Sequence, residues 1–199
     1  VPAMKLRLAS PSALVDLSGV DGLTGIDANG KVAIGAMTTY ADLRDSKELA
    51  KALPIIPETA DNVGAPAVQA RGTLGGALAH SDPAADFTAV FLALDGSVSV
   101  TGSGGKRTIG ADDLFVDLFT TDLAPDEIIT SVSFPAQKAG TVSAYEKFRH
   151  PASGYAVVGI AVVVNGGKDG VVDSARIAVT GATSKATRAT AAEAALKGK

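Results

Sequence analysis

Apolar positions along this chain repeat with two periods, and the switches between them mark out its elements. From Leu23 to Ile34 they flank Asp27-Ala28-Asn29-Gly30, which predicts a hairpin, because Asn-Gly readily takes the backbone angles of a tight turn. Leu14-Val15-Asp16-Leu17 predicts a short strand before it. Thr38 or Thr39 is suited to cap the next helix, with Asp42 near its first turn. Leu49, Leu53, Ile56, Ala60 and Val63 then recur at spacings of three and four, one face of a helix. Pro54 and Pro57 break that pattern near its start, and Gly64-Ala65-Pro66 ends it. Phe87 to Leu94 is apolar throughout and predicts a buried helix. Val98 and Val100 alternate with polar neighbours as in a half-buried strand. Gly102 to Gly105 reads as a hairpin loop, and Ile128 to Phe134 as a strand stopped by Pro135.

Gln137 to Gly140 reads as a linker. Beyond it, Val142–Phe148, Tyr155–Val164 and Val171–Thr180 predict three strands, the last two joined by a turn at Gly166-Gly167-Lys168-Asp169-Gly170. Ala182 to Gly198 predicts an Ala-rich helical tail capped by Thr187 or Thr190. Hairpins mixed with helices imply an α+β body over residues 1–137 with a mainly antiparallel sheet. A second, smaller α+β unit starts at residue 141 and runs to 199.

Composition removes several classes of function. The net charge is only −3 and the basic residues are scattered, so there is no electrostatic footprint for nucleic acid. No apolar run reaches the roughly 20 residues of a membrane span, and the first residues lack the basic head and apolar core of a signal peptide. The absence of cysteine excludes disulfides, thiolate zinc sites and cysteine-ligated iron–sulfur clusters within the chain. Two histidines far apart argue against a metal site, so redox chemistry here requires an organic cofactor. Asp112-Asp113 is a carboxylate pair, but adjacent residues do not converge on one substrate, and it reads as a solvated turn or a helix start.

Candidate chemistry concentrates in Val68 to Asp86, VQARGTLGGALAHSDPAAD. Gly75 and Gly76 can adopt angles closed to other residues. Successive N–H groups would then face one concavity suited to an anionic phosphate, with the Thr73 hydroxyl beside them. The alternative is a tight turn with helix-capping aspartates. Arg71 reads either as a surface salt bridge or carbonyl cap, or as support for a phosphate loop. There is no Walker lysine after the glycines and no strand–GxGxxG–helix unit, against other nucleotide binders.

TLGGALAHSDPAAD closely resembles the second FAD motif in the flavin subunits of molybdenum hydroxylases. Medium chains of the aerobic carbon monoxide dehydrogenase type are nearest, and xanthine dehydrogenase is more distant. The likeness extends to MKLRLASPSALVDL, VAIGAMTTYADL, TTDLAPDEIITSVSFP and AYEKFRHPASGYAVVGIA, and so to essentially the whole chain. It implies a PCMH-type FAD-binding domain followed by the start of a flavoprotein C-terminal domain. It implies that Thr73, Leu74, Gly75 and Gly76 meet the FAD pyrophosphate and that Val63 and Gly64 line the adenosine side. His80, Asp82 and Asp86 match polar positions beyond the glycines, Asp86 as an acceptor for ribityl or ribose hydroxyls. Leu123 matches an apolar contact near the flavin, Lys147 a lysine beside the isoalloxazine, and Tyr155 an aromatic cover of the ring.

No catalytic residue of its own is implied. Electrons would pass from a molybdenum-cofactor large subunit, through a small subunit with two iron–sulfur clusters, to FAD and an external acceptor. The complex would be a dimer of heterotrimers in the cytoplasm or at the inner face of the membrane. A non-catalytic scaffold derived from a flavin domain is the alternative. The chain lacks an initiating Met, and in the resembling family a first FAD loop lies upstream and more helices lie downstream. Truncation at both ends is therefore the expectation, and with it poor retention of FAD by this piece alone.

Overall fold

A computed structural model describes residues 2–167 and 170–199; Val1, and the Lys168-Asp169 tip of the expected glycine-rich turn, lie outside the described residues. After a single helical turn, α1 (Pro2–Lys5), the chain is irregular to Val20. Leu14 and Val15 are exposed there, and the strand expected at Leu14–Leu17 does not form. Among the described residues no neighbouring strand offers that segment a ladder, so extension would leave its backbone groups to water.

The hairpin forms as expected from β1 (Ile26–Asp27) and β2 (Val32–Gly35), with Ile26 opposite Ile34 and Gly30 at φ +92° in the turn. Thr39 caps α2 (Tyr40–Asp45) in a reciprocal box: its Oγ1 accepts from Asp42 N, and Asp42 Oδ2 accepts from Thr39 N, each at 3.2 Å. The next helical pattern is divided into α3 (Lys47–Ala52) and α4 (Ile55–Asn62), broken at Leu53-Pro54. Pro57 sits in the first turn of α4, where a missing N–H costs no helical bond. Then come α5 (Pro66–Gln69), α6 (Leu74–His80) and α7 (Asp86–Ala93).

The rest of the body is β3 (Ser97–Gly102), β4 (Gly105–Gly110), α8 (Ala111–Leu114), β5 (Phe115–Asp117), β6 (Thr120–Thr121) and β7 (Ile128–Phe134). Its main sheet is antiparallel in the order β1-β2-β7-β3-β4. A second antiparallel sheet follows, ordered β11-β10-β9-β8, from β8 (Thr141–Arg149), β9 (Ala156–Gly166), β10 (Val172–Thr180) and β11 (Thr187–Arg188). The tail expected to be helical over Ala182–Gly198 is helical only in α9 (Thr190–Leu196), whose N-cap is Ala189. Thr187 and Arg188 pair instead with Val179 and Ala178 of β10. Arg188 also reaches Asp112 at 3.1 Å, and Glu193 Oε1 accepts from Ile177 N at 2.8 Å. These long-range bonds outweigh local helix propensity.

Every residue of α7 is buried. It packs on β9 and β10 on one side and on α4, α6 and α8 on the other. Phe91 stands edge-on to Phe115 and Phe134, with ring centroids 5.9 and 6.2 Å apart. A helix apolar on all faces is stable only between two layers, and α7 is where the two sheets share a core.

Candidate functional site

Thr73 closes the entry to α6 as its N-cap: its Oγ1 accepts from Gly76 N at 3.1 Å. The glycines that follow lie inside the helix and have negative φ, so the unusual angles expected of them are not used. Their missing Cβ atoms matter instead. A Cβ on buried Gly75 would lie 2.5 Å from Ala36 Cβ and 2.8 Å from Ala36 O; one on exposed Gly76 would meet only the Thr73 side chain. Gly75 is therefore a packing position against the end of β2, and Gly76 is exposed at the helix start, where a Cβ would lie 2.7 Å from Thr73 Oγ1.

The expected cradle of amides is also absent. Leu74 N donates to Thr38 O at 3.1 Å and Gly75 N to Ala36 O at 2.8 Å, while Gly76 N is held by Thr73. These bonds fasten α6 to the β2–α2 connection.

Gly76 opens onto a cavity of about 570 Å³. Val63 and Gly64 wall it from the α4–α5 turn, Val68 from α5, Thr73, Ala77 and His80 from α6, and Asp82 and Asp86 from the approach to α7. Lys147 of β8 and Ser153, Gly154 and Tyr155 of the β8–β9 turn complete it. That turn is shaped by His150, whose Nδ1 accepts from Ala152 N and Ser153 N, both at 3.3 Å.

Asp86 is the best-anchored polar group of the wall. Its Oδ1 accepts from the Tyr145 hydroxyl, and its Oδ2 lies 2.9 Å from Lys147 Nζ. The side chains of Lys147 and Asp86 are only 2% and 7% exposed. Lys147 Nζ also donates to Asn62 O at 3.2 Å. Tyr145 and Lys147 are two apart on β8 and so share the face turned toward α7. Burial first, and then the Asp86 charge, push the Tyr145 hydroxyl well above its ordinary pKa, which keeps it a donor. Asp86 is thus the partner of a buried cation and a tyrosine.

His80, at the end of α6, has its ring 5.1 Å from that of Phe119. Asp82 Oδ1 accepts from Ala84 N at 2.9 Å. Tyr155 is half-exposed, at 54%, with its ring available at the mouth. The cavity therefore gathers Val63, Gly64, Thr73, Gly76, His80, Asp82, Asp86, Lys147 and Tyr155. It leaves out Leu74 and Gly75, which lie on the buried side of α6, and Leu123, which packs partly buried against the core. Tyr40 joins the lining unforeseen, stacked on Phe87 with centroids 5.2 Å apart. Its place depends on contacts between α2 and α7, to which local sequence gives no clue. Arg71 lines the cavity too, and makes no ion pair among the described residues.

Residues 1–137 match the family model described as the FAD binding domain in molybdopterin dehydrogenase. The chain belongs to this family. Residues 143–199 match the CO dehydrogenase flavoprotein C-terminal domain. The nicotine 6-hydroxylase medium subunit of Paenarthrobacter nicotinovorans is 42% identical over the whole chain, and the carbon monoxide dehydrogenase medium chain of Hydrogenophaga pseudoflava 37%. The alignments cover 69% of each relative. Among solved structures, carbon monoxide dehydrogenase from Hydrogenophaga pseudoflava superposes with TM-score 0.95 at 41% identity, covering all of this chain and 69% of that one. Quinoline 2-oxidoreductase from Pseudomonas putida 86 superposes with TM-score 0.91 at 32% identity, with the same coverage.

The chain is accordingly an FAD-binding medium subunit of the molybdenum hydroxylase and carbon monoxide dehydrogenase family, and its cofactor is FAD. The names medium subunit and medium chain are those of parts of larger oxidoreductases. No helix among the described residues is long and apolar enough to cross a membrane. The cavity suits the cofactor: its volume falls within the range of about 300–1,000 Å³ usual for ligand sites. Its wall offers a hydroxyl at Thr73, cations, carboxylates and an accessible aromatic ring.

Proposed function

We propose that the cavity between α6, α7 and the β8–β9 turn holds FAD, and that the chain serves as the electron-transferring flavin subunit of a molybdenum hydroxylase. The observation that carries this is the convergence of Thr73, Gly76, His80, Asp82, Asp86, Lys147 and Tyr155 on one cavity from both sheet layers. When bound, FAD supplies two-electron chemistry, taking electrons from iron–sulfur clusters of a small subunit, fed by a molybdenum-cofactor large subunit, to an external acceptor.

The chain's own residues bind and orient. Thr73 keeps its hydroxyl hydrogen available while its oxygen caps α6. Gly76 lets a ligand approach the helix backbone closely. Asp86 fixes the Lys147 ammonium, and the pair presents a compact polar surface in which neither charge is isolated. Tyr155 closes the mouth over an aromatic face. Leu74 and Gly75 act beneath the surface by seating α6, and Leu123 by packing. The same reading divides the chain into residues 1–137 and 141–199 and places it in a dimer of heterotrimers in the cytoplasm.

Titration of the full-length subunit with FAD, alone and with its partner subunits, tests the reading by flavin fluorescence and visible absorbance. Stoichiometric binding that Tyr155→Ala and Thr73→Ala weaken by about tenfold, a loss of roughly 1.4 kcal/mol each, is expected. A complex that assembles and turns over without FAD would instead make this subunit a scaffold.

A further inference from the structure

A cofactor pyrophosphate brings two negative charges to its site, and they need N–H donors or cations. The glycine segment has few amides to give. Leu74, Gly75 and Gly76 donate within the fold, and Ala77 N donates to Thr73 O at 3.0 Å. On the other side of Thr73, Arg71 N and Gly72 N both donate to Val68 O, at 3.1 and 2.7 Å. Within this segment, what remains to meet a phosphate is then the charge of side chains.

The lining holds few cations. Lys147 is buried and spent on Asp86 and Asn62 O. His80 stands at the far end of α6 beside Asp82. Arg71 is exposed, lines the cavity, and makes no ion pair among the described residues, although its charge reaches the exposed Asp16 carboxylate. It stands two residues before Thr73, one helix length of about 10 Å from the His80–Asp82 end. The cavity therefore has a cationic end at Arg71 and Thr73 and an acidic end at Asp82.

The geometry points to Arg71 as the residue that receives the pyrophosphate, with the Thr73 hydroxyl beside it; this rests on the cavity holding FAD. A guanidinium stays charged at every physiological pH and offers a planar fork that matches phosphate oxygens in pairs. The two-residue spacing ties the fork to a rigid base, because Gly72 O accepts from Tyr40 N at 2.9 Å and Thr73 caps α6. The ribose and ribityl hydroxyls then fall toward the acidic end, where an acceptor is useful and a phosphate would be repelled.

The test is FAD titration of the full-length subunit as wild type, Arg71→Gln and Arg71→Lys, each at low and high ionic strength. Arg71→Gln should weaken FAD by about ten- to a hundredfold, the size of a lost charge-assisted contact. It should also flatten the dependence of affinity on salt. Riboflavin, which has no phosphate, should distinguish the two proteins by less than about twofold. Arg71→Lys keeps the charge and loses the fork, so its salt dependence should remain while its affinity falls between the other two. FAD affinity within about twofold of wild type, or an unchanged salt dependence in Arg71→Gln, overturns the assignment while leaving the FAD site standing. A wild-type subunit that takes no FAD overturns both.

Discussion

Replacing Asp86 by Ala tests the centre of the site. In the native chain its carboxylate is held by Tyr145 and by Lys147, the latter at 2.9 Å with only 2% of the lysine side chain exposed. Alanine leaves that ammonium with the Asn62 carbonyl at 3.2 Å as its remaining bond, and leaves the Tyr145 hydroxyl without an acceptor. Removing one partner of a buried pair costs about 3–5 kcal/mol, because the other charge stays behind without water. With about 2–4 °C lost per kcal/mol at this chain length, the melting temperature should fall by roughly 6–20 °C. Urea unfolding of the wild type, Asp86→Ala, Lys147→Met and the double variant measures the effect. The double variant should recover most of the loss, because the stranded charge is gone, and the cycle should give a coupling of at least about 2 kcal/mol. A loss under about 1 kcal/mol in Asp86→Ala, or additive single effects, would refute the view that Asp86 holds Lys147 in place. FAD affinity measured on the same proteins separates the two roles of the carboxylate. Weakened binding in Asp86→Asn, which is neutral but retains an acceptor, would show that the charge itself matters to the ligand.

Three further outcomes are expected. The Arg107 guanidinium grips Glu127 with bonds of 2.7 and 2.8 Å, and this together with Ala124 N holds the Glu127 carboxyl down at about 2 from 4.5. Stability from this group is complete above about 4.5 and lost as pH falls toward about 2, so urea midpoints across that window should drop more for wild type than for Glu127→Gln. Gly75→Ala should cost about 1–3 kcal/mol by overpacking Ala36. Gly76→Ala puts a Cβ 2.7 Å from Thr73 Oγ1, the end of a side chain that can turn away, so it should cost less in thermal unfolding than Gly75→Ala and more in FAD affinity, because Gly76 and Thr73 both line the cavity.

Much of the framework was legible because its signals are local. Asn29-Gly30 announced the first hairpin, Thr39 with Asp42 the start of α2, and the unbroken apolar run after Asp86 the buried α7. Three expectations failed, each for a nonlocal reason. Leu14–Leu17 has strand-forming residues and no strand beside it. Thr187 and Arg188 lie in an alanine-rich stretch, but β10 and Asp112 draw them into a ladder. Gly75 and Gly76 look like a loop that needs special angles, whereas one gives room to Ala36 and the other exposes the helix start. The site followed the same rule. The residues around Thr73 and Asp86 were readable as a cluster, while Tyr145 and Lys147 meet Asp86 across 59 and 61 residues of chain, a pairing set by packing alone.

The burial of α7 has a consequence for how the chain comes apart. The helix belongs to the first layer by sequence and to both by contact, so separating the layers strips one of its apolar faces whichever side keeps it. Cleaving the backbone within the connection at residues 137–140 should therefore leave the two pieces associated. The slowest amide protons of α7, β9 and β10 should exchange together, in one event rather than two.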